Sequence, residues 1–167
     1  MTGCGVEAEA GGHARLTGRT LCPGEGSGPL LVLTEPLSFW GGTDRGTGLV
    51  IDAHHPQHGC SLAGRVLLMD ASRGSSSSSS VLAEQIRAGV GPAAILLTAR
   101  DAIVALGALA AAELYGTRVP VVLLGAADAG RLGQCTGAVA RVGAGADGRA
   151  GVELADRPRG NPAEGAP

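Results

Sequence analysis

The sequence predicts an α/β domain, and three observations carry that expectation. From Arg65 onward, strand-like and helix-like runs alternate: Val66 to Met69, Val81 to Ala88, Ala93 to Leu97, Ala102 to Leu114, Val119 to Leu124. This β-α-β-α-β order specifies a parallel sheet. The 167 residues suit one domain large enough for a true core. Apolar residues make up 44% of the chain but aromatics only 2%, so the core must be built from Ala, Val, Leu and Ile. The adjacent Phe39 and Trp40, set in a Gly-rich stretch, stand out against that background.

Upstream of the alternating region, two short strands are expected around His13 to Thr17 and Leu30 to Leu33, separated by a Gly- and Pro-rich turn from Pro23 to Pro29. Glu35 to Gly48 reads as an irregular loop of the kind that lines sites. Leu49 to Ile51 reads as a strand and Asp52 to Gly59 as a surface loop. Downstream, a short helix is expected at Ala127 to Leu132, with strands at Ala138 to Val142 and Gly151 to Leu154. Residues 1–10 read as a flexible N-terminus, 11–155 as the domain and 156–167 as a disordered tail.

Composition removes several function classes. All 13 basic residues are Arg and Lys is absent, which excludes a Walker-type phosphate loop and a Schiff-base lysine from this chain. A net charge of -2 with scattered arginines gives no basic stripe, so nucleic acid is not an expected partner. Cys4, Cys22, Cys60 and Cys135 form no C-x-x-C pair, so no zinc or iron-sulfur site is written locally and free, partly buried thiols are expected. The N-terminus lacks the pattern of a secretory signal, and the longest apolar stretch, Ala102 to Ala112, is far short of the roughly 20 residues that span a bilayer. A cytoplasmic protein is the expectation.

The segment richest in chemistry is Arg73-Gly74 followed by six serines, Ser75 to Ser80, joining a strand to a helix. N-H groups at a helix start carry the positive end of the dipole. With an arginine alongside, such a turn can hold a carboxylate or phosphate and support an alkoxide. The competing reading is a low-complexity linker or surplus capping residues. A serine hydroxyl needs an activating partner; no histidine stands at a recognisable position, and the Gly-x-Ser-x-Gly elbow of α/β-hydrolases is absent. His54, His55 and His58, near Asp52 and Cys60, are chemically competent metal ligands. Pro56 disrupts helical spacing there, and a solvated loop is the better reading. Gly143-Ala144-Gly145-Ala146-Asp147-Gly148 matches G-x-G-x-x-G, but no helix is expected after it, so it reads as a chance match in a Gly-rich chain. Glu84, Asp101 and Glu113 fall on helices or at a helix start, where carboxylates face solvent or complement the dipole.

Six segments together resemble the small subunit, or swivel domain, of the aconitase X family. They are Pro36-Leu37-Ser38-Phe39-Trp40-Gly41-Gly42, the His55-Pro56 turn, Gly64-Arg65-Val66-Leu67, Arg73-Gly74-Ser75-Ser76, Val81-Leu82-Ala83-Glu84 and Pro92-Ala93-Ala94-Ile95. The resemblance runs from about Gly11 to Leu124. It implies a swivelling β/β/α domain, as in the aconitase C-terminal domain, that closes over a large subunit holding an iron-sulfur cluster, with none bound by this chain alone. It also implies that Ser75, the first serine after Arg-Gly, is the proton acceptor in a dehydration of an anionic hydroxy acid. The cluster iron would act as Lewis acid on the substrate hydroxyl. Arg73, Gly74 and Ser76 are the expected substrate-binding neighbours, Ser76 being the nearest alternative to Ser75 as base. The resemblance implies dehydration of cis-3-hydroxy-L-proline or of (R)-5-phosphomevalonate, and the Ser-rich turn and all-Arg composition favour the former. In aconitases proper the loop reads Gly-Ser-Ser-Arg. Here the arginine precedes the serines, so that arginine's role is not transferred. Leu106 to Gly125 also resembles phosphohistidine swivel domains, but no histidine lies beyond His58 to carry a phosphoryl group. A regulatory or scaffold domain is the non-enzymatic alternative.

Overall fold

The computed structural model describes residues 15–155. Seven strands and four helices follow in the order β1 (Arg15–Cys22), β2 (Gly24–Val32), α1 (Phe39–Gly42), β3 (Val66–Met69), α2 (Ser77–Arg87), β4 (Ala94–Leu97), α3 (Ala102–Tyr115), β5 (Val121–Leu124), α4 (Ala126–Gly133), β6 (Val139–Ala144) and β7 (Arg149–Leu154). The strands close into a barrel in the order β1-β5-β4-β3-β2-β6-β7, with β7 pairing back onto β1. β2, β3, β4 and β5 run parallel. The pairings of β1 with β5 and β7, of β2 with β6, and of β6 with β7 are antiparallel.

This arrangement accounts for the burial pattern. β3 and β4 are buried at every position, as expected of parallel strands covered on both faces. Their alternate side chains serve two cores. Leu67, Met69, Ile95 and Leu97 pack with Val81, Leu82 and Ile86 of α2 and with Val104, Ala108 and Ala111 of α3. Val66, Leu68, Ala94 and Leu96 share a second core with Leu16, Leu30, Val122, Leu132, Val142 and Val152. β6 alternates exposed and buried residues, the signature of an antiparallel strand with one wet face.

Most expected elements from Val66 onward are present with shifts of one or two residues. Three expectations need correction. The turn from Pro23 to Pro29 is strand: β2 runs through it and pairs with β6 from Gly24↔Ala144 to Pro29↔Val139. Its glycines serve close approach, because a Cβ at Gly26 would overlap the Ala93 carbonyl and one at Gly28 the Gly64 carbonyl. The first strand reaches Cys22, five residues beyond Thr17, while His13 and Ala14 lie outside the described residues. Leu49 to Ile51 forms only the isolated bridges Thr43↔Val50 and Leu49↔Ser61. The expected flexible N-terminus, residues 1–10, and tail, residues 156–167, also lie outside the described residues.

Candidate functional site

Three loops meet at the C-terminal ends of neighbouring parallel strands: residues 33–38 after β2, 70–76 after β3 and 98–101 after β4. The expected residues Arg73, Gly74, Ser75 and Ser76 all lie on the middle loop, and all four are exposed.

That loop is held from every side. Ser72 bridges in parallel to Leu37, and the Arg73 N-H donates to the Leu37 carbonyl at 3.0 Å. The Ser72 N-H and hydroxyl both donate to Asp101 Oδ2, each at 2.6 Å. Asp101 Oδ1 accepts from Ile103 N-H at 2.9 Å and Val104 N-H at 3.0 Å, capping α3. Asp101 is only 8% exposed. Burial alone would raise its pKa, but the bonds from the Ser72 hydroxyl, Val104 N-H, Ser72 N-H and Ile103 N-H outweigh that and hold the carboxyl below its ordinary value.

Gly74 has φ +116°, a conformation that L side chains rarely adopt, and a Cβ there would lie 2.8 Å from Ser38 Oγ. Ser38 Oγ itself donates to the Trp40 carbonyl at 2.7 Å. The chain then turns at once into α2. Ser78 N-H donates to the Ser75 carbonyl at 3.0 Å and Ser79 N-H to the Ser76 carbonyl at 3.1 Å. The serine run is therefore mostly helix, and α2 begins at Ser77 where the sequence suggested Val81. The serines differ sharply in role. Ser75, Ser76 and Ser77 are exposed, whereas Ser78 is 1% exposed and its Oγ accepts the Trp40 N-H at 3.3 Å.

Trp40 is 63% exposed beside the fully buried Phe39. The short α1 that carries both is distorted, with Trp40 at ψ 116° and Gly41 at φ 79°. Beneath it the Thr43 hydroxyl donates to the Phe39 carbonyl at 2.7 Å, and buried Gln85 donates through Nε2 to Thr43 Oγ1 at 2.8 Å and to the Asp44 carbonyl at 3.1 Å. Phe39, Trp40, Thr43, Asp44, Ile51 and Val81 contribute to the wall of a cavity of about 390 Å³. A larger hollow of about 460 Å³ lies on the β1, β2, β6 and β7 strands and includes none of the expected site residues.

On the rim, Arg73 Nη2 lies 3.4 Å from Asp52 Oδ2, the arginine side chain being more exposed than its partner. Asp52 is itself fixed, since its Oδ1 accepts the His54 N-H at 2.9 Å and its carbonyl accepts from His58 Nδ1 at 3.1 Å. His55 is buried; its Nδ1 accepts the Gln57 N-H and its Nε2 donates to the Glu35 carbonyl, both at 3.1 Å. The histidines thus brace a turn. Among the described residues, no group of three or more His, Cys, Asp or Glu is placed to hold a metal ion.

The remaining motifs resolve plainly. The G-x-G-x-x-G match is the β6–β7 hairpin, closed by Gly145 N-H to the Arg149 carbonyl at 2.8 Å, and a strand follows it. Glu84 accepts from the Tyr115 hydroxyl at 2.6 Å and from Arg87 Nε at 2.8 Å on the surface, the two bonds that hold its carboxyl below the ordinary value. Cys22 and Cys60 are free, and burial pushes the Cys22 thiol up against the opposing pull of Arg118. Cys135 is disulfide-bonded, a departure from the expected free thiols. No helix among the described residues is long and apolar enough to cross a membrane.

Sequence reasoning placed Arg73 to Ser76 together with the Ser38-Phe39-Trp40 segment only through resemblance; the structure brings them into contact. It did not single out Ser72, and it gave Asp101, Asp52 and Ser78 no part in holding this loop. Asp101 was legible as a helix cap, but its bonds to Ser72 span 29 residues and leave no local signal.

Comparison with known proteins bears on the same region. A family model described as the aconitase X swivel domain matches residues 15–145. The cis-3-hydroxy-L-proline dehydratase of Pseudomonas aeruginosa is 52% identical over 105 residues, covering 62% of this chain but only 18% of that enzyme. The phosphomevalonate dehydratase small subunit of Methanothermobacter thermautotrophicus is 47% identical over 93 residues, covering 56% of this chain and 71% of that subunit. Its name, a small subunit, implies a larger partner for that protein. The crystal structure of Thermococcus kodakaraensis aconitase X in its holo-form superposes with a TM-score of 0.71 at 34% identity, over 86% of this chain and 99% of that one. With more than half of its residues matched by the family model, and the loop carrying Arg73 to Ser76 inside the match, this chain belongs to the aconitase X swivel-domain family.

Proposed function

We propose that this chain is the small subunit of an aconitase X-type hydro-lyase and supplies Ser75 as the base for dehydration of a small anionic hydroxy acid. The observation that carries the reading is the placement of Ser75. It is an exposed hydroxyl between Gly74 and the first turn of α2, two residues from Arg73, in a loop whose backbone is tied to two other loops. The helix-start N-H groups and the Arg73 guanidinium stabilise an alkoxide at Ser75 Oγ, lowering the cost of using a hydroxyl as base. Ser75 takes the proton from the carbon beside the substrate's anionic group, the C–O bond of the neighbouring carbon breaks with its electron pair on oxygen, that hydroxide takes a second proton from solvent to leave as water, and an alkene forms. Arg73 leaves Asp52 to pair with the substrate anion, an exchange made easy by the length and exposure of that ion pair. Gly74 and Ser76 present backbone and hydroxyl to the same ligand.

The family implies an iron-sulfur enzyme. The described residues do not fit a cluster, because no three donors gather among them and Cys135 is disulfide-bonded. We therefore assign the cluster to the large subunit. The site on this chain is open, which suits a half-site completed by a partner. We place the complex in the cytoplasm, as the sequence led us to expect.

The favoured substrate is cis-3-hydroxy-L-proline, supported by the 52% identical relative of that name. The 47% identical small subunit supports (R)-5-phosphomevalonate as the second reading. Coexpression with the large subunit, anaerobic purification and parallel assay of both compounds test the proposal. Turnover of one of them, lost in a Ser75→Ala complex, supports it. Turnover by the isolated chain, or unchanged activity of the Ser75→Ala complex, overturns it. A chain that binds no large subunit and turns over neither compound is a scaffold or regulatory domain.

A further inference from the structure

We propose that Asp101 is a positioning residue for Ser75, acting through Ser72 to fix the start of the loop on which the base sits. This rests on the reading of Ser75 as the base. An N-cap needs a single side-chain oxygen, and Asp101 meets that need with Oδ1 alone. Its second oxygen is committed to a residue 29 positions earlier, taking both the N-H and the hydroxyl of Ser72 at 2.6 Å. Short bonds to a carboxylate of this kind are about twice as strong as bonds between neutral groups.

The position of the clamp gives it a job. Ser75 is exposed, so packing does not set its direction, and Gly74 beside it has the softest backbone available. Its direction must be imposed from both ends. Downstream, the first turn of α2 does this through Ser78 N-H on the Ser75 carbonyl. Upstream, Ser72 is the last residue before Arg73 and Gly74 whose side chain and N-H are both anchored, and the anchor is Asp101. Arg73 has separate ties, to the Leu37 carbonyl and to Asp52. Because Arg73 stands between Ser72 and Ser75, the Asp101 and Leu37 ties act together on the upstream end of the loop, and loss of the first loosens the path to the base.

Asp101→Asn separates the two duties. The amide oxygen still caps α3, while the amide nitrogen faces Ser72 N-H as donor against donor. In the coexpressed complex, kcat should fall on the order of 10- to 100-fold, the penalty of misplacing a reacting group by about an ångström, with KM changing less than kcat. Ser72→Ala, which keeps the N-H bond, should fall between wild type and Asp101→Asn. Co-elution of the subunits at unchanged ratio separates this loss from failed assembly. Amide hydrogen exchange on the full 167-residue chain supplies a readout independent of turnover: Asp101→Asn should speed exchange at Ser72 while the amides of α3 stay protected. If exchange at Ser72 is unchanged, or kcat stays within about twofold of wild type in an active complex, Asp101 is only a helix cap and the inference fails. If Ser75→Ala leaves turnover by an active complex unchanged while Ser72 exchange responds, the role assigned to Ser75 fails and the clamp stands.

Discussion

Gly74→Ala is the most direct test of how the loop is built, because two separable terms contribute. The first is backbone: at φ +116° an alanine is strained, costing about 1–3 kcal/mol. The second is the new methyl, which would lie 2.8 Å from Ser38 Oγ. That oxygen can move, but only by giving up its bond to the Trp40 carbonyl, a loss of about 1 kcal/mol. The sum is about 2–4 kcal/mol, read as a melting temperature lowered by about 5–15 °C for a domain of this size. Gly116→Ala is the control, since φ is +70° there and nothing lies within 4 Å of the added methyl; it should cost about 1–2 kcal/mol. The cycle with Ser38→Ala isolates the second term. Without Ser38 Oγ the nearest remaining Ser38 atom is Cβ at 3.6 Å, an ordinary contact. The double variant should thus be more stable than the sum of the singles by about 1 kcal/mol. Chemical denaturation of the full chain measures the wild type and all four variants. Additive single effects, or a Gly74→Ala cost no larger than that of Gly116→Ala, would refute the claimed contact between the two loops.

Ser75→Ala should leave the stability of the isolated chain within about 0.5 kcal/mol, since the residue is exposed, while abolishing turnover by the complex; a matched loss of stability would point to a structural serine. Ser78→Ala should do the opposite at the fold level, costing about 1–2 kcal/mol in denaturant by leaving the Trp40 N-H without its acceptor. Trp40→Ala should leave the isolated chain nearly as stable, because the ring is largely exposed, yet weaken association with the large subunit about tenfold or more, measured by calorimetry. Asp101 gives a pH dependence of definite sign. Its folded pKa lies below the ordinary 3.8, so its contribution is present above that value and is lost as pH falls through the folded pKa. Stability curves of wild type and Asp101→Asn should converge in that acid range and stay apart above it; parallel curves would remove the linkage.

The parts of the fold legible in the sequence were those governed by local pattern. Val66 to Met69 is apolar at every position because the strand is covered on both faces, and its limits could be read off directly. β2 was hidden because Gly24, Gly26 and Gly28 look like a turn in one dimension. Only the assembled barrel reveals that Ala93 and Gly64 backbone carbonyls occupy the space of absent side chains. The serine run was ambiguous for a related reason. Six identical residues carry no periodic signal, and burial alone divides exposed Ser75 to Ser77 from buried Ser78. The Ser72–Asp101 contact joins two loops through side chains that each fit a local role, so nothing in either segment announces the other.

The topology explains why such contacts converge. β2, β3 and β4 are adjacent and parallel, so the loops that leave their C-terminal ends emerge side by side. Helices α2 and α3 return the chain to the opposite end and pack on one face. Sites gather at this end in open α/β sheets and in α/β barrels alike, for the same geometric reason. In this chain each loop brings one ingredient: Ser38 and Trp40 follow β2, Arg73 to Ser76 follow β3, and Asp101 follows β4. The antiparallel strands β1, β6 and β7 close the barrel. A base carried on a separate domain must be rigid within that domain if closure alone is to deliver it. The ties from Leu37 and Asp101 to the Arg73-Gly74-Ser75 loop are what such rigidity requires. On this view the variants that loosen the loop, Gly74→Ala and Asp101→Asn, should slow the chemical step in the complex far more than they weaken its assembly. Equal losses in both would mean that the loop is ordered by the partner and not by its own chain.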